Sequence, residues 1–357
     1  MADTLSCQWE TLHSQQLRSI KKSIDSDHGI YRDRREFITL LGGAAAWPLA
    51  ARAQQPAMPV VGYLSVGVAS ASRPTLEVFR RMLVEAGYIE GRTLTIEYRF
   101  AEGRYDRLPE MAVDLVRRNV ALIVATGGTA PALAAKAAIA TIPIVFLVTD
   151  DPIALGLVES FAHPGGNATG VNFPQAELGP KQLGLLREIA PSAGRVGLLI
   201  NPNNTIAEGV KREVVAAASA IGVEIQVVQA GDSSAIEAAV LTLVRNAADA
   251  LLIGADPFFF SRRVQLATLA ARHKLPSIYN AREFADVGGL MSYGASLVEA
   301  FRQGGAYAAR ILKGARPADL PVVRSVTFEL VINVATARAL GLEVPPLLLA
   351  RADEVIE

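Results

Sequence analysis

Short apolar runs alternate with longer amphipathic stretches from residue 58 to the end of the chain. The runs at 60–64, 121–125 and 143–148 are rich in Val, Ile and Leu, which is typical of strands buried on both faces of a parallel sheet. The stretches between them carry apolar residues at helical spacing and predict helices that cover such a sheet. The pattern therefore predicts an α/β protein assembled from βαβ units.

A cluster of turn-forming residues, His-Pro-Gly-Gly-Asn at 163–167, interrupts this series. A second series of strands and helices follows, and a strand at 290–293 is expected to return to the first series. A chain of this length also exceeds what one core usually holds, so two lobes are expected. The predicted boundaries are 58–172 plus 290–325 for lobe 1 and 173–289 plus 326–357 for lobe 2.

Residues 34–53 have the pattern of an export signal. The adjacent Arg34 and Arg35 precede an apolar stretch that ends in Ala-Arg-Ala before Gln54. This stretch is too short to span a bilayer, and paired arginines before an apolar run indicate the twin-arginine export route. We therefore predict a leader over 1–53, cleavage near the Ala53–Gln54 bond and a periplasmic mature protein. A chance basic pair beside a buried helix is the alternative.

Composition narrows the classes of function. The chain has 35 basic and 35 acidic residues, and nothing in this balance points to binding of nucleic acid. The single cysteine, Cys7, lies in the predicted leader, and only His163 and His273 lie beyond it. We therefore predict no disulfide, no metal site, no cofactor and no catalytic residues in the mature chain.

Polar residues follow the predicted strands at the edge where open α/β sheets bind ligands. Thr-Gly-Gly-Thr at 126–129 opens a helix, and the free N–H groups of a helix start attract an acceptor such as a carboxylate. A tight turn with Thr129 as an N-cap is the alternative. The candidate ligand-binding residues of lobe 1 are Ser65, Gly127, Gly128, Thr129, Thr149 and Asp150.

Asp150 and the adjacent Asp151 permit more than one interpretation. One carboxylate would accept hydrogen bonds from a ligand ammonium group while the other caps the next helix. Both would otherwise be capping or solvated acids. An acid–base pair is a further alternative, and the chain would then be an exported hydrolase.

The remaining candidates also stand at strand ends. Asn offers both a donor and an acceptor to a polar ligand, although Asn and Asp favour turns on their own account. The three adjacent aromatic residues at 258–260 cannot all face one core, so one of them either lines the cleft or closes the edge of the lobe. The candidates are Asn201, Asp256, Tyr279, Asn280 and Tyr293.

Residues 59–357 resemble bilobal periplasmic binding proteins. Several segments resemble in particular the ABC-transporter substrate-binding family, whose members include tryptophan- and tyrosine-type binders. These segments are 97–99, 142–146, 163–170, 289–294, 311–321 and 351–356.

The resemblance implies the type I periplasmic binding protein fold, in which two Rossmann-like lobes are joined by a hinge with several chain crossings. It also implies a partnership with an ABC permease of the inner membrane and a bias toward amino-acid-like ligands. We expect a monomer that captures a small polar metabolite, such as an amino acid with or without an aromatic side chain, by hinge closure. A ligand-sensing receptor lobe is the alternative to transport.

Overall fold

The computed structural model describes residues 58–175, 178–325 and 327–357. The predicted leader and its twin-arginine signal lie outside these residues. None of the helices in the described part is both long and apolar enough to cross a membrane.

Strands and helices alternate along the described chain, as the hydrophobic pattern predicts. The strands are β1 (Val60–Ser65), β2 (Thr95–Phe100), β3 (Leu122–Thr126), β4 (Ile144–Val148), β5 (Ala168–Asn172), β6 (Arg195–Ile200), β7 (Glu224–Gln229), β8 (Ala250–Ile253), β9 (Ser277–Tyr279), β10 (Met291–Ala295), β11 (Val323–Arg324), β12 (Phe328–Asn333) and β13 (Glu354–Ile356). The α-helices are α1 (Arg73–Glu85), α2 (Leu108–Arg117), α3 (Thr129–Ala138), α4 (Gly179–Ile189), α5 (Ala207–Ala220), α6 (Ser233–Arg245), α7 (Pro257–Ser261), α8 (Arg263–Arg272), α9 (Arg282–Ala285), α10 (Leu297–Leu312), α11 (Val334–Ala339) and α12 (Pro346–Ala350).

The strands form two separate sheets. The first sheet has the order β11-β5-β4-β3-β1-β2 and is parallel throughout. The second has the order β13-β12-β10-β9-β8-β6-β7, in which only the pairing of β10 with β12 is antiparallel. Each sheet with its helices is one lobe.

Each lobe has an apolar core on both faces of its sheet. In lobe 1, Val61 and Tyr63 of β1 pack in the layer that contains Phe79 of α1. Leu64 packs in the opposite layer with Leu115 of α2. Successive residues of one strand therefore serve different layers, and this explains why the central strands are apolar at nearly every position.

The chain passes between the two lobes after β5, after β10 and after β11. The helix that follows β10, α10, packs on the first sheet through Phe301 and Tyr307. This confirms the predicted fold class of two Rossmann-like lobes joined by a hinge with several crossings.

One boundary of the predicted lobes is wrong. Residues 290–295 were assigned to lobe 1, whereas β10 pairs with β9 and β12 in the second sheet. The return to lobe 1 comes only at Ser296, directly before α10. An apolar strand is equally suited to either sheet, so its hydrophobic pattern carries no information about its neighbours.

Gly294 of β10 allows two backbones to approach closely. A Cβ atom at this position would lie 1.7 Å from the carbonyl oxygen of Asn280. This oxygen belongs to the backbone, so the clash can be relieved only by a shift of the main chain. We expect Gly294→Ala to lower the free energy of unfolding by about 2–3 kcal/mol, measured by urea denaturation. The control is Gly184→Ala in α4, where no atom lies within 4 Å; this change should raise the free energy of unfolding by about 0.5–1 kcal/mol. Equal effects of the two substitutions would contradict the steric argument.

Candidate ligand-binding site

A cavity of about 100 Å³ lies between residues of both lobes, and this volume exceeds what one ordered water needs. Lobe 1 contributes Ser65, Thr126 and Thr149, each at or just after the carboxyl end of a strand. Lobe 2 contributes Asp256 and Asn280 in the corresponding positions. The cavity therefore occupies the place at which open parallel sheets bind ligands.

The turn between β3 and α3 requires glycine. Gly127 and Gly128 have φ angles of +82° and +102°, a region that residues with a Cβ atom rarely adopt. A Cβ atom at Gly127 would also lie 3.1 Å from Ser65 Oγ, while one at Gly128 would meet no atom within 4 Å. Both glycines line the cavity directly before the ten-residue helix α3. A ligand can therefore approach the backbone at the start of this helix, where N–H groups need acceptors.

Two hydroxyl groups of lobe 1 lie beside this turn. Ser65 Oγ accepts a hydrogen bond from the Gly67 amide at 3.1 Å. Thr149 Oγ1 lies 3.4 Å from Thr129 Oγ1. Ser65 and Thr149 are buried and line the cavity, so lobe 1 contributes hydroxyl-bearing side chains to its lining.

Thr129 and Asp150 are not among the residues that line the cavity. The Thr129 hydroxyl donates to Asp150 Oδ2 at 2.5 Å. Burial raises the pKa of Asp150, and the hydrogen bond from Thr129 partly opposes this shift. Asp151 is exposed and accepts the backbone N–H of Ile153 at 2.9 Å. Neither Asp150 nor Asp151 is among the residues that line the cavity.

Asp256 is the most densely hydrogen-bonded side chain of the cavity. Its Oδ1 accepts from Asn201 Nδ2 at 3.1 Å and from the Phe259 amide at 3.0 Å. Its Oδ2 accepts from the Tyr105 hydroxyl and from Asn204 Nδ2, each at 2.9 Å. Burial raises the pKa of Asp256 above its ordinary value, although these four donors favour the ionised form. The carboxylate is thus held rigidly with its acceptor sites filled.

Three of the other predicted residues lie outside the cavity. Asn201 stands behind Asp256 and supports it. Tyr279 is fully buried against Phe284, with ring centroids 4.5 Å apart, and burial raises its pKa to about 12. The Tyr293 ring stacks on Phe328 at 6.0 Å. The predicted residues that do line the cavity are Ser65, Gly127, Gly128, Thr149, Asp256 and Asn280.

Sequence reasoning missed the apolar wall of the cavity. This wall includes Phe173 on the first crossing and Leu297 and Phe301 at the start of α10. Of the aromatic run at 258–260, Phe260 lines the cavity, whereas Phe259 is fully buried in the core of lobe 2. The aromatic run was the available signal for Phe260, but Phe173 and Phe301 have no local signature because the crossings bring them to the site.

Gln175 was missed as well. It follows Phe173 on the first crossing, lines the cavity and is only 5% exposed. Its Oε1 atom is buried and has no hydrogen-bond partner. An unpaired buried acceptor is costly, so a donor supplied by a ligand would relieve that cost.

Ionisable side chains are few in the lining of the cavity. Among the described residues that line it, Asp256 is the only one with an ionisable side chain. No group of three or more His, Cys, Asp or Glu side chains in the described ranges is arranged to hold a metal ion. The site therefore combines one buried carboxylate, several neutral polar groups and an aromatic wall.

Comparison with known proteins identifies relatives. A family model described as ABC transporter substrate binding protein matches residues 71–356. A tyrosine-binding protein of Clostridioides difficile (strain R20291) is 26% identical over 265 residues, which are 74% of this chain and 76% of that protein. These matches confirm the resemblance drawn from the sequence segments.

Two crystal structures extend the comparison. A conserved domain protein from Vibrio cholerae is 27% identical, with a TM-score of 0.76. An ABC domain from Streptococcus pneumoniae, solved in complex with L-Trp, is 26% identical, with a TM-score of 0.74. Each alignment covers 84% of this chain and 99% of the other.

The role of Asp256 can be separated from simple helix capping. Asp256 and the exposed Asp232 both accept the backbone N–H three residues onward, at the starts of α7 and α6. We expect Asp256→Ala to lower the free energy of unfolding by about 2–4 kcal/mol, because Asn201, Asn204 and Tyr105 also lose their acceptor. Asp232→Ala should cost about 1 kcal/mol. Urea denaturation measures both, and similar losses would show that Asp256 acts only as a cap.

Proposed function

This chain belongs to the ABC transporter substrate binding protein family, and on that premise we propose that it is the solute-binding component of an ABC importer. It captures a small metabolite in the interlobe cavity, holds it by closure of the lobes and releases it unchanged. The observation that carries this proposal is a single cavity lined by strand ends of both lobes and by the crossings that join them. A ligand that contacts both lobes favours the closed form.

We propose an aromatic amino acid as the ligand. Phe173, Phe260 and Phe301 all line the cavity, and their aromatic rings suit a flat apolar side chain of a ligand. On the side of lobe 1, the turn at Gly127 and Gly128 before α3 offers backbone N–H groups to a carboxylate. The named ligands of two relatives, tyrosine and L-Trp, support the same class.

The charge of the site favours a zwitterion over a simple acid. A ligand that carried only a carboxylate would add a second negative charge to a cavity that already holds Asp256. An ammonium group instead provides a positive charge near Asp256 and a donor for the unpaired Oε1 of Gln175. The proposed ligand therefore has its carboxylate toward lobe 1 and its ammonium group toward Asp256 and Gln175.

The predicted export signal and the family support a proposal for the cellular setting. We propose that the twin-arginine leader is cleaved near Ala53 and that the mature protein works in the periplasm as a monomer. The closed, loaded form would then deliver its ligand to an inner-membrane ABC permease. No catalytic step is part of this proposal.

Ligand class is tested by isothermal titration. We expect L-tryptophan, L-tyrosine or L-phenylalanine to bind with a Kd in the micromolar range or tighter. The deaminated analogue of the best ligand should bind about 10- to 100-fold more weakly, because it lacks the charged donor.

Two results would contradict the proposal. Tight binding of sugars alone would reject the amino-acid class, and equal affinity for the deaminated analogue would reject the zwitterion argument. Native mass spectrometry of the purified protein tests carriage itself, since a retained ligand must have an unchanged mass. Conversion of that ligand during incubation would favour the hydrolase alternative.

Gln175→Met provides a test with opposite effects on binding and stability. Methionine has a similar length but no amide, so the unliganded protein loses an unpaired acceptor and should be as stable as the wild type or more stable. Affinity for the amino-acid ligand should fall about 10-fold, because its ammonium group loses a partner. Calorimetry and thermal unfolding measure the two effects.

The control is Gln226→Met. The Oε1 atom of Gln226 also lacks a partner, but this residue lies in β7 and does not line the cavity. Its replacement should leave affinity unchanged. A normal affinity in Gln175→Met would exclude Gln175 from the ligand contacts.

A further inference from the structure

A hydrogen bond at the edge of the ligand cavity joins the two lobes. The hydroxyl group of Tyr105 donates to Asp256 Oδ2 at 2.9 Å, across 151 residues of sequence. Tyr105 begins the short 3₁₀ helix after β2 in lobe 1, and Asp256 follows β8 in lobe 2. Tyr105 does not line the cavity, whereas Asp256 does.

The four donors to Asp256 differ in origin. Asn201, Asn204 and the Phe259 amide belong to lobe 2, as Asp256 does, so separation of the lobes does not require these three hydrogen bonds to break. Tyr105 is the one donor of the four that comes from lobe 1. This hydrogen bond therefore exists only while the lobes are together.

A second contact accompanies the hydrogen bond. Gly103, two residues before Tyr105, lies against the ring of Phe258 in α7 of lobe 2. A Cβ atom on Gly103 would be 3.2 Å from a carbon of that ring, and its φ of +83° also requires glycine. The loop that carries Tyr105 thus fits closely against the start of α7.

The same loop is tied to the wall of the cavity. The amide of Ala101 donates to the Ser65 carbonyl at 2.8 Å, and the Gly103 amide donates to the Val66 carbonyl at 2.7 Å. Ser65 lines the cavity itself. The segment 101–105 is therefore hydrogen-bonded to the cavity wall of lobe 1 at one end, and at its other end Tyr105 donates to Asp256. Asp256 in turn accepts from Asn204, which lines the cavity from lobe 2.

We propose that Tyr105 is a positioning residue that latches the closed lobes and slows escape of the ligand. It touches no ligand and acts through Asp256. Opening breaks its hydrogen bond to a buried carboxylate, which makes the barrier to ligand release higher than ligand contacts alone would make it. The effect on ligand release rests on the proposed function, while the effect on lobe closure does not.

The test is Tyr105→Phe, which removes only the hydroxyl group. We expect the dissociation rate of L-tryptophan to rise about 10-fold, which is the size of effect expected for the loss of one hydrogen bond to a charged group. Stopped-flow fluorescence measures this rate. The association rate should change less than 2-fold, since the latch forms after the ligand has entered. The matched control is Tyr98→Phe, because the Tyr98 hydroxyl bonds only to Arg80 and Glu90 within lobe 1; its rates should equal those of the wild type.

Lobe closure is measured independently of any ligand. Spin labels on Glu110→Cys in α2 and Arg272→Cys in α8 report the distance between exposed positions of the two lobes, in a Cys7→Ser background that removes the chain's own cysteine. Tyr105→Phe should shift the distances of the unliganded protein toward the open form, and Tyr98→Phe should not.

The outcomes separate the latch from the proposed function. An unchanged distance distribution in Tyr105→Phe would overturn the latch, as would a wild-type dissociation rate in a protein that binds L-tryptophan. If the wild type bound none of the aromatic amino acids, the ligand proposal would fail, and the label distances alone would decide whether the latch exists.

Discussion

A buried carboxylate at the meeting of two lobes is the constraint around which the site is arranged. Burying the charge of Asp256 costs several kcal/mol unless its oxygens are hydrogen-bonded, and here four neutral donors fill them. Those donors come from the start of α7, from Asn201 and Asn204 in the loop after β6, and from Tyr105 in the opposite lobe. One side chain therefore sets the geometry of three segments at once. Any movement of the lobes must exchange one of its hydrogen bonds for water or for a ligand group.

The topology explains why this carboxylate and the α3 turn come to the same cavity. In a parallel sheet, the polar residues that follow the strands lie at one edge, the carboxyl edge. Residues from this edge of both sheets line the same cavity. Glycines at 127 and 128 give lobe 1 a backbone surface without side chains, so its polarity comes from amides and hydroxyls. Lobe 2 supplies Asp256, the one ionisable side chain among the described residues that line the cavity. This division between the lobes is the reason for proposing a zwitterionic ligand.

The hydrophobic pattern predicted the fold well because strands buried on both faces leave continuous apolar runs. It also placed Ser65, Thr149, Asp256 and Asn280 at or just after strand ends, and these four residues line the candidate cavity. It did not predict Gln175, Phe301 or Tyr105, whose positions depend on how the crossings and lobes pack. The assignment of β10 to lobe 1 failed for the same reason, because pairing between strands is decided by neighbours distant in sequence. The local hydrophobic pattern specifies the helices and strands. Contacts between residues distant in the sequence determine which side chains share a cavity.

The crossings do more than connect the lobes. The first carries Phe173 and Gln175 into the cavity, and the second leads directly into Leu297 and Phe301 at the start of α10. Under the proposed hinge closure, a ligand that packs against these residues contacts the segments that change conformation when the lobes separate. The apolar wall and the hinge are therefore built from the same stretches of chain. In the proposed opening, the wall would move away from the ligand and the Tyr105–Asp256 hydrogen bond would break. The apolar and the polar contacts would then resist the same motion.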